Sequence, residues 1–189
     1  MKLNLGCSDR VIPGFIGVDI AAPADEIVDL AGPWPWPDSS VEEVLALDVC
    51  EHIGDMRGDV HFDGNTWLAM NLQGAIDAVK DLSAARHPLG RIHFMNELHR
   101  VLEDGGLATI ETPNAAHGCG YYQDPTHVSP WCLSTFKYFE HGAFAHGRLS
   151  KAYGITAAFR VLSLDEFETN GEDPRERAWK IKAVLEAVK

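Results

Sequence analysis

The sequence predicts an α/β fold built around a mostly parallel sheet, and three observations carry that expectation. Strand-like segments alternate with helix-like ones along much of the chain. Val44-Leu45-Ala46-Leu47-Asp48-Val49 is almost continuously apolar, as strands buried on both faces of a parallel sheet are. The predicted strands end in Gly6-Cys7-Ser8, Asp19-Ile20, Asp29-Leu30, Asp48-Val49 and Thr112-Pro113-Asn114. An open α/β sheet places its ligands beyond those strand ends.

Leu3-Asn4-Leu5 alternates and stops at Gly6, so it reads as the first strand. Phe15 to Ile20 is the second, and Glu26 to Leu30 a short third. Gly32-Pro33-Trp34-Pro35-Trp36-Pro37 cannot extend the third, because proline lacks the ladder donor and fixes φ. Residues 39–43 then read as a turn before the fourth strand. Leu68, Leu72, Ile76, Val79 and Leu82 fall at helical spacing and predict a helix over 64–86, stopped by His87-Pro88-Leu89-Gly90. Phe94, Met95, Leu98, Val101 and Leu102 predict a second helix over 91–103, closed by Gly105-Gly106. A fifth strand covers 107–112, and a short helix near 134–141 ends at Gly142. Residues 157–164 and 179–185 read as two last strands joined by a loop, an antiparallel finish.

The 189 residues suit one domain, 1–189, with 54–90 as a helical insertion and 115–150 as a segment on the acceptor side. The formal net charge is −12, which gives no basic face for a phosphate backbone, so no nucleic-acid partner is expected. No segment approaches the roughly 20 apolar residues of a membrane span. The first residues carry no signal-peptide run, and Cys7, Cys50, Cys119 and Cys132 form no CxxC pair. Reduced thiols in a cytoplasmic protein are the expectation. Oligomeric state is not legible.

The first loop narrows the ligand. Only Asp9 to Gly14 separate it from the second strand, too few for a crossover helix, and Gly6 is its single glycine. A dinucleotide pyrophosphate needs a glycine-rich turn and a helix N-terminus. Asp19, Asp29 and Asp48 instead make an acidic rim, suited to ribose hydroxyls and amino groups and repulsive to phosphates. A nucleoside ligand without phosphates fits better than NAD(P).

"LNLGCSD" (3–9), "GFIGVDI" (14–20), "DLAGPWPWPDSSVEEVLALDVCEHI" (29–53) and "FMNELHRVLEDGGLATIETPN" (94–114), in that order, resemble the class I S-adenosylmethionine-dependent methyltransferases, in particular the small methyltransferase-11-like group. The resemblance implies a Rossmann-like sandwich with a seven-stranded sheet in the order 3-2-1-4-5-7-6 and helices on both faces. It implies S-adenosylmethionine as cofactor, with S-adenosylhomocysteine as product. Gly6, Cys7 and Ser8 would lie under its methionine and ribose part, and Asp19 with Ile20 at the ribose. Asp29 and Leu30 would flank the adenine, and Asp48 and Val49 the transferred methyl. Ser8 stands where the family usually has a second glycine, and Asn4 where it often has an acid.

Trp34 and Trp36 read either as a cover for the adenine or as a surface lid. His52 reads as a site residue or as a structural histidine at a helix start. His117, Cys119, His127 and Cys132 fit no standard ligand spacing, so no metal is expected. Asp124-Pro125-Thr126-His127 is expected to be a rigid turn presenting His127 as a general base, with Tyr121 and Tyr122 as pocket walls. The catalytic candidates are His127, His52 and Asp124. The acceptor is expected to be a small molecule, methylated at O, N or C; no Asn-Pro-Pro-Tyr motif follows the fourth strand, against amino-methylation of DNA. Two alternatives stay open: a methyltransferase-fold protein that binds the cofactor without catalysis, and an NAD(P)-dependent oxidoreductase.

Overall fold

The structure, a computed structural model, describes residues 1–54, 90–118, 120–143, 150, 152–170 and 177–189. The helix expected over 64–86, most of the 54–90 insertion, Cys119 and part of the last loop lie outside the described residues. The strands are β1 (Lys2–Leu5), β2 (Ile16–Asp19), β3 (Glu26–Ile27), β4 (Val41–Leu47), β5 (Leu102–Pro113), β6 (Phe159–Glu168) and β7 (Trp179–Ala187). Among the described residues, the helices with defined bounds are α1 (Gly90–Val101) and the short α2 (Leu133–Phe136), with 3-10 turns at Cys50–His52 and Lys137–Phe139.

All seven strands form one sheet in the order β3-β2-β1-β4-β5-β7-β6, as expected. β1 to β5 pair in parallel, and β7 runs antiparallel to both β5 and β6. The central position of β4 explains its sequence. It pairs with β1 through Leu3↔Val44 and with β5 through Val44↔Ala108, burying Val41, Val44 and Ala46 completely. Its pairing begins at Val41, so residues 41–43, expected as part of a turn, are strand. β3 is shorter than expected because the Asp29 carboxylate accepts the Ala31 N–H and turns the chain. α1 ends at Val101, since Leu102 already pairs with Val41 in the sheet. The charged residues of β6 hid its end: it reaches Glu168 at the sheet edge, where charge is tolerated and opposes edge-to-edge association.

α1 buries Phe94, Met95, Leu98 and Val101 in the core. Trp34 and Trp36 belong to that core rather than to a lid over adenine or a surface lid. Trp34 is only 4% exposed and packs edge-on against both Trp36 and Phe94. The Arg100 guanidinium binds the carbonyls of Trp34 and Trp36 and pairs with Glu97, fastening the proline-rich loop to α1. No described helix is long and apolar enough to cross a membrane.

Candidate functional site

The first loop follows β1 without a helix. The Cys7 N–H donates to the Val18 carbonyl at 3.1 Å, and the Arg10 N–H returns to the Cys7 carbonyl at 2.8 Å. The buried Asn4 amide donates to the Arg10 carbonyl, so this departure from the family pattern ties the loop down. Gly6 has φ +65°, and a Cβ there would come within 2.6 Å of two Val49 side-chain atoms. The glycine therefore allows the ends of β1 and β4 to touch.

Asp19 closes the same loop. Its Oδ2 accepts the Ser8 N–H at 2.9 Å and its Oδ1 accepts the Ile20 N–H at 2.7 Å. Oδ1 also accepts the Ala21 N–H at 3.4 Å, so of a carboxylate's about four lone-pair sites roughly one, on Oδ2, stays open for a hydroxyl. Ser8 makes its turn at φ +50°, a conformation glycine adopts more cheaply. Cys7 is buried beneath it. Ile20 is 69% exposed, an apolar surface beside the carboxylate. Asp29 is exposed in its turn, whereas Leu30 sits in the core with its carbonyl accepting the Trp34 indole N–H.

At the end of β4, Asp48 has φ +58° and Val49 is buried. Lys180 of β7 donates to Asp48 Oδ2 at 2.5 Å, while Oδ1 is buried with no partner among the described residues. The pairing Pro113↔Lys180 brings the lysine across β5 to reach it. A cleft of about 640 Å³ opens from here, lined by Asp48, Glu51, His52, Asp124, His127 and Lys180 among others. Its size suits a small molecule.

Sequence reasoning passed over Glu51, the most deeply buried ionisable group of the cleft. It is fully buried, and burial pushes its carboxyl up to about 7, with the Asp48 charge adding and hydrogen bonds from the backbone and Thr112 opposing. Oε2 accepts the Thr112 hydroxyl at 3.0 Å, and Oε1 has no hydrogen-bond partner among the described residues. The Glu51 carbonyl accepts the N–H groups of Val128 and Ser129, which docks the 124–129 segment on this turn. His127 comes to rest 4.0 Å from Glu51 Oε1 through its Nε2, with the side chain 8% exposed.

Asp124 to His127 form the expected turn, in which the Thr126 N–H donates to Asp124 Oδ1 at 2.7 Å. His52 and His127 stand edge to face, with ring centres 4.8 Å apart. All three catalytic candidates are thus brought together. Tyr121 is a buried wall beside His127, but Tyr122 is 74% exposed. His117 stacks on Trp179 and pairs with Glu166, and Cys132 bonds Thr135 at the start of α2. Neither enters the His127 cluster.

No family model matches this sequence, and no curated protein does. Solved structures match over nearly the whole chain. A methyltransferase of Methanosarcina mazei described as S-adenosylmethionine-dependent aligns with 99% of this chain and 92% of its own, at 10% identity and TM-score 0.57. The fold is that of the class I methyltransferases. A Haloferax volcanii methyltransferase, solved with its Trm112 activator, aligns over 100% of this chain and 82% of its own at 12% identity and TM-score 0.56. The [4+2]-cyclase SpnF shares the methyltransferase fold at 11% identity and TM-score 0.51, covering 99% and 75%. The shared fold therefore leaves the reaction to be argued from the site.

Proposed function

We propose that the protein transfers a methyl group from S-adenosylmethionine to a small molecule seated in the Asp48–His127 cleft. The observation that carries this is the junction at Asp48-Val49. There the first loop, closed by Asp19 and touching Val49 through Gly6, abuts a cleft lined with titratable groups from Asp48 onward. The donor set fits the cofactor. Asp19 Oδ2 keeps a spare acceptor site for a hydroxyl, Ile20 offers an exposed apolar face, and the orphaned Asp48 Oδ1 suits a cationic group. When bound, S-adenosylmethionine supplies a methyl carbon activated by positive sulfur.

The chain's own residues would bind, align and shield. Asp19 takes a ribose hydroxyl, Ile20 and Asp29 border the adenine, and Gly6 to Ser8 run beneath the methionine part. Leu30 contributes from the core side. Asp48 and Val49 set where the donor ends and the acceptor begins, and alignment there is the main source of rate. Asp48 and Val49 would hold the acceptor atom in line with the methyl group that the bound cofactor would supply. A proton on the acceptor passes to His127 Nε2, with His52 and Asp124 beside it.

Thermal shift and turnover test this together. S-adenosylhomocysteine, and not NAD, is expected to raise the melting temperature, and Asp19→Ala to abolish that rise. Stabilisation by NAD alone overturns the reading. Stabilisation by S-adenosylhomocysteine with no methyl transfer across a broad acceptor panel leaves a donor-binding protein that is not a transferase.

A further inference from the structure

In the cleft, four side chains each have one polar atom tied away. Glu51 Oε2 is held by Thr112, leaving the buried Oε1 bare. His127 Nδ1 lies 2.8 Å from the Tyr121 carbonyl, so it carries the proton and Nε2 carries the lone pair. The Thr126 hydroxyl donates to Asp124 Oδ1 at 2.6 Å. Having spent its one proton there, Thr126 can only accept at His52 Nδ1, 3.1 Å away, which fixes that ring's lone pair on Nε2 as well. Asp124 Oδ2 is left facing His127 Nε2 at 3.8 Å.

Acceptor atoms of Glu51, Asp124 and His127 therefore face one another with no hydrogen bond joining them, His127 Nε2 standing 4.0 Å from Glu51 Oε1 and 3.8 Å from Asp124 Oδ2. The 4.0 Å from His127 Nε2 to Glu51 Oε1 is too long for a hydrogen bond. One ligand atom from each of Glu51, His52 and His127 lies within 4.8 Å of the others. Ligands at about 2.1 Å around a tetrahedral ion stand about 3.4 Å apart, a little closer than these groups stand. His127 is oriented through its other nitrogen, Nδ1 on the Tyr121 carbonyl, as metal-ligating histidines are, and the Thr126 hydroxyl holds the His52 ring beside it.

The geometry points to a divalent transition-metal site of the zinc class, held by Glu51, His52 and His127 with Asp124 at its margin, and open to the cleft. Two imidazoles and a carboxylate are a donor set that such ions take. An open position on the cleft suits an acceptor that presents an oxygen. That last step rests on the methyltransferase reading, with the ion then taking the His127 Nε2 lone pair in place of the acceptor proton; metal binding itself does not.

The test is cobalt(II) titration of the chelator-washed full chain, followed by visible absorption, without any nucleoside present. One equivalent is expected to bind with a d–d spectrum, zinc(II) is expected to displace it, and His117→Ala is expected to bind alike. Glu51→Gln and His52→Ala should each weaken binding by about tenfold or more. Should Glu51→Gln fail to fold, His52→Ala decides, because His52 is exposed. Absence of binding, or binding that neither variant weakens, overturns the site. Metal binding without a thermal response to S-adenosylhomocysteine keeps the site and removes the transferase reading; the reverse pair of results does the opposite.

Discussion

At the donor end, Asp19 reaches a loop eleven positions before it, and its bonds go to backbone N–H groups of Ser8 and Ile20. At the acceptor end, the side chain of Glu51 meets Thr112 from β5, His127 from a turn 76 positions after it, and, through the Asp48 charge, Lys180 of β7. The first region is a local turn whose polar groups are satisfied by nearby backbone. The second is assembled from distant segments and keeps two buried carboxylate oxygens without partners among the described residues. A buried carboxylate oxygen without a hydrogen bond is costly, so this second region holds the tension that a ligand can relieve.

The sharpest way to break this contrast is to strike where the two ends touch. Gly6→Ala forces a Cβ against Val49 at a left-handed position. Overpacking and the backbone penalty together are expected to cost about 4 kcal/mol. Chemical denaturation measures it, and a loss under about 1 kcal/mol would show that the two strand ends give way freely.

The next effect belongs to Glu51. Folding raises its carboxyl from the ordinary glutamate value of 4.5 to about 7. In metal-free protein, its protonated form gives full stability below about 4.5, and stability falls as pH rises toward about 7. The loss is about 3 kcal/mol, after which the curve levels from this group's side. Glu51→Gln, which cannot ionise, should flatten that slope in a series of urea midpoints. Parallel slopes for both proteins would remove Glu51 as the cause.

The smallest effect is at Ser8. Ser8→Gly relieves a left-handed serine and is expected to change stability by about 1 kcal/mol, in the favourable direction. The thermal response to S-adenosylhomocysteine should persist. A destabilised variant would mean that the serine side chain supports the loop in a way its backbone geometry does not show.

These two ends also differ in how legible they were. Gly6, Asp19 and the six residues between the first loop and β2 exclude a crossover helix by spacing alone, and the sheet order follows from the family its motifs resemble. His52, Asp124 and His127 could be singled out because histidine beside turn chemistry is conspicuous. Glu51 could not, since a charged residue after a strand gives no sign that Thr112 of β5 and the 124–129 segment will meet it in the interior. Lys180 reads as an alternating surface lysine until the β5–β7 register carries it over to Asp48. Trp34 and Trp36 read as a lid over adenine or at the surface, and only the packing of Trp34 on Phe94 and Trp36 places them in the core.

What the sequence determined by itself was the alternation of elements and a first loop too short for a crossover helix, which are properties of spacing and periodicity over short stretches; the strand order came from the family resemblance. The tertiary structure alone decided which carboxylate loses its water and which lone pairs converge, because desolvation and side-chain approach depend on segments far apart in the chain.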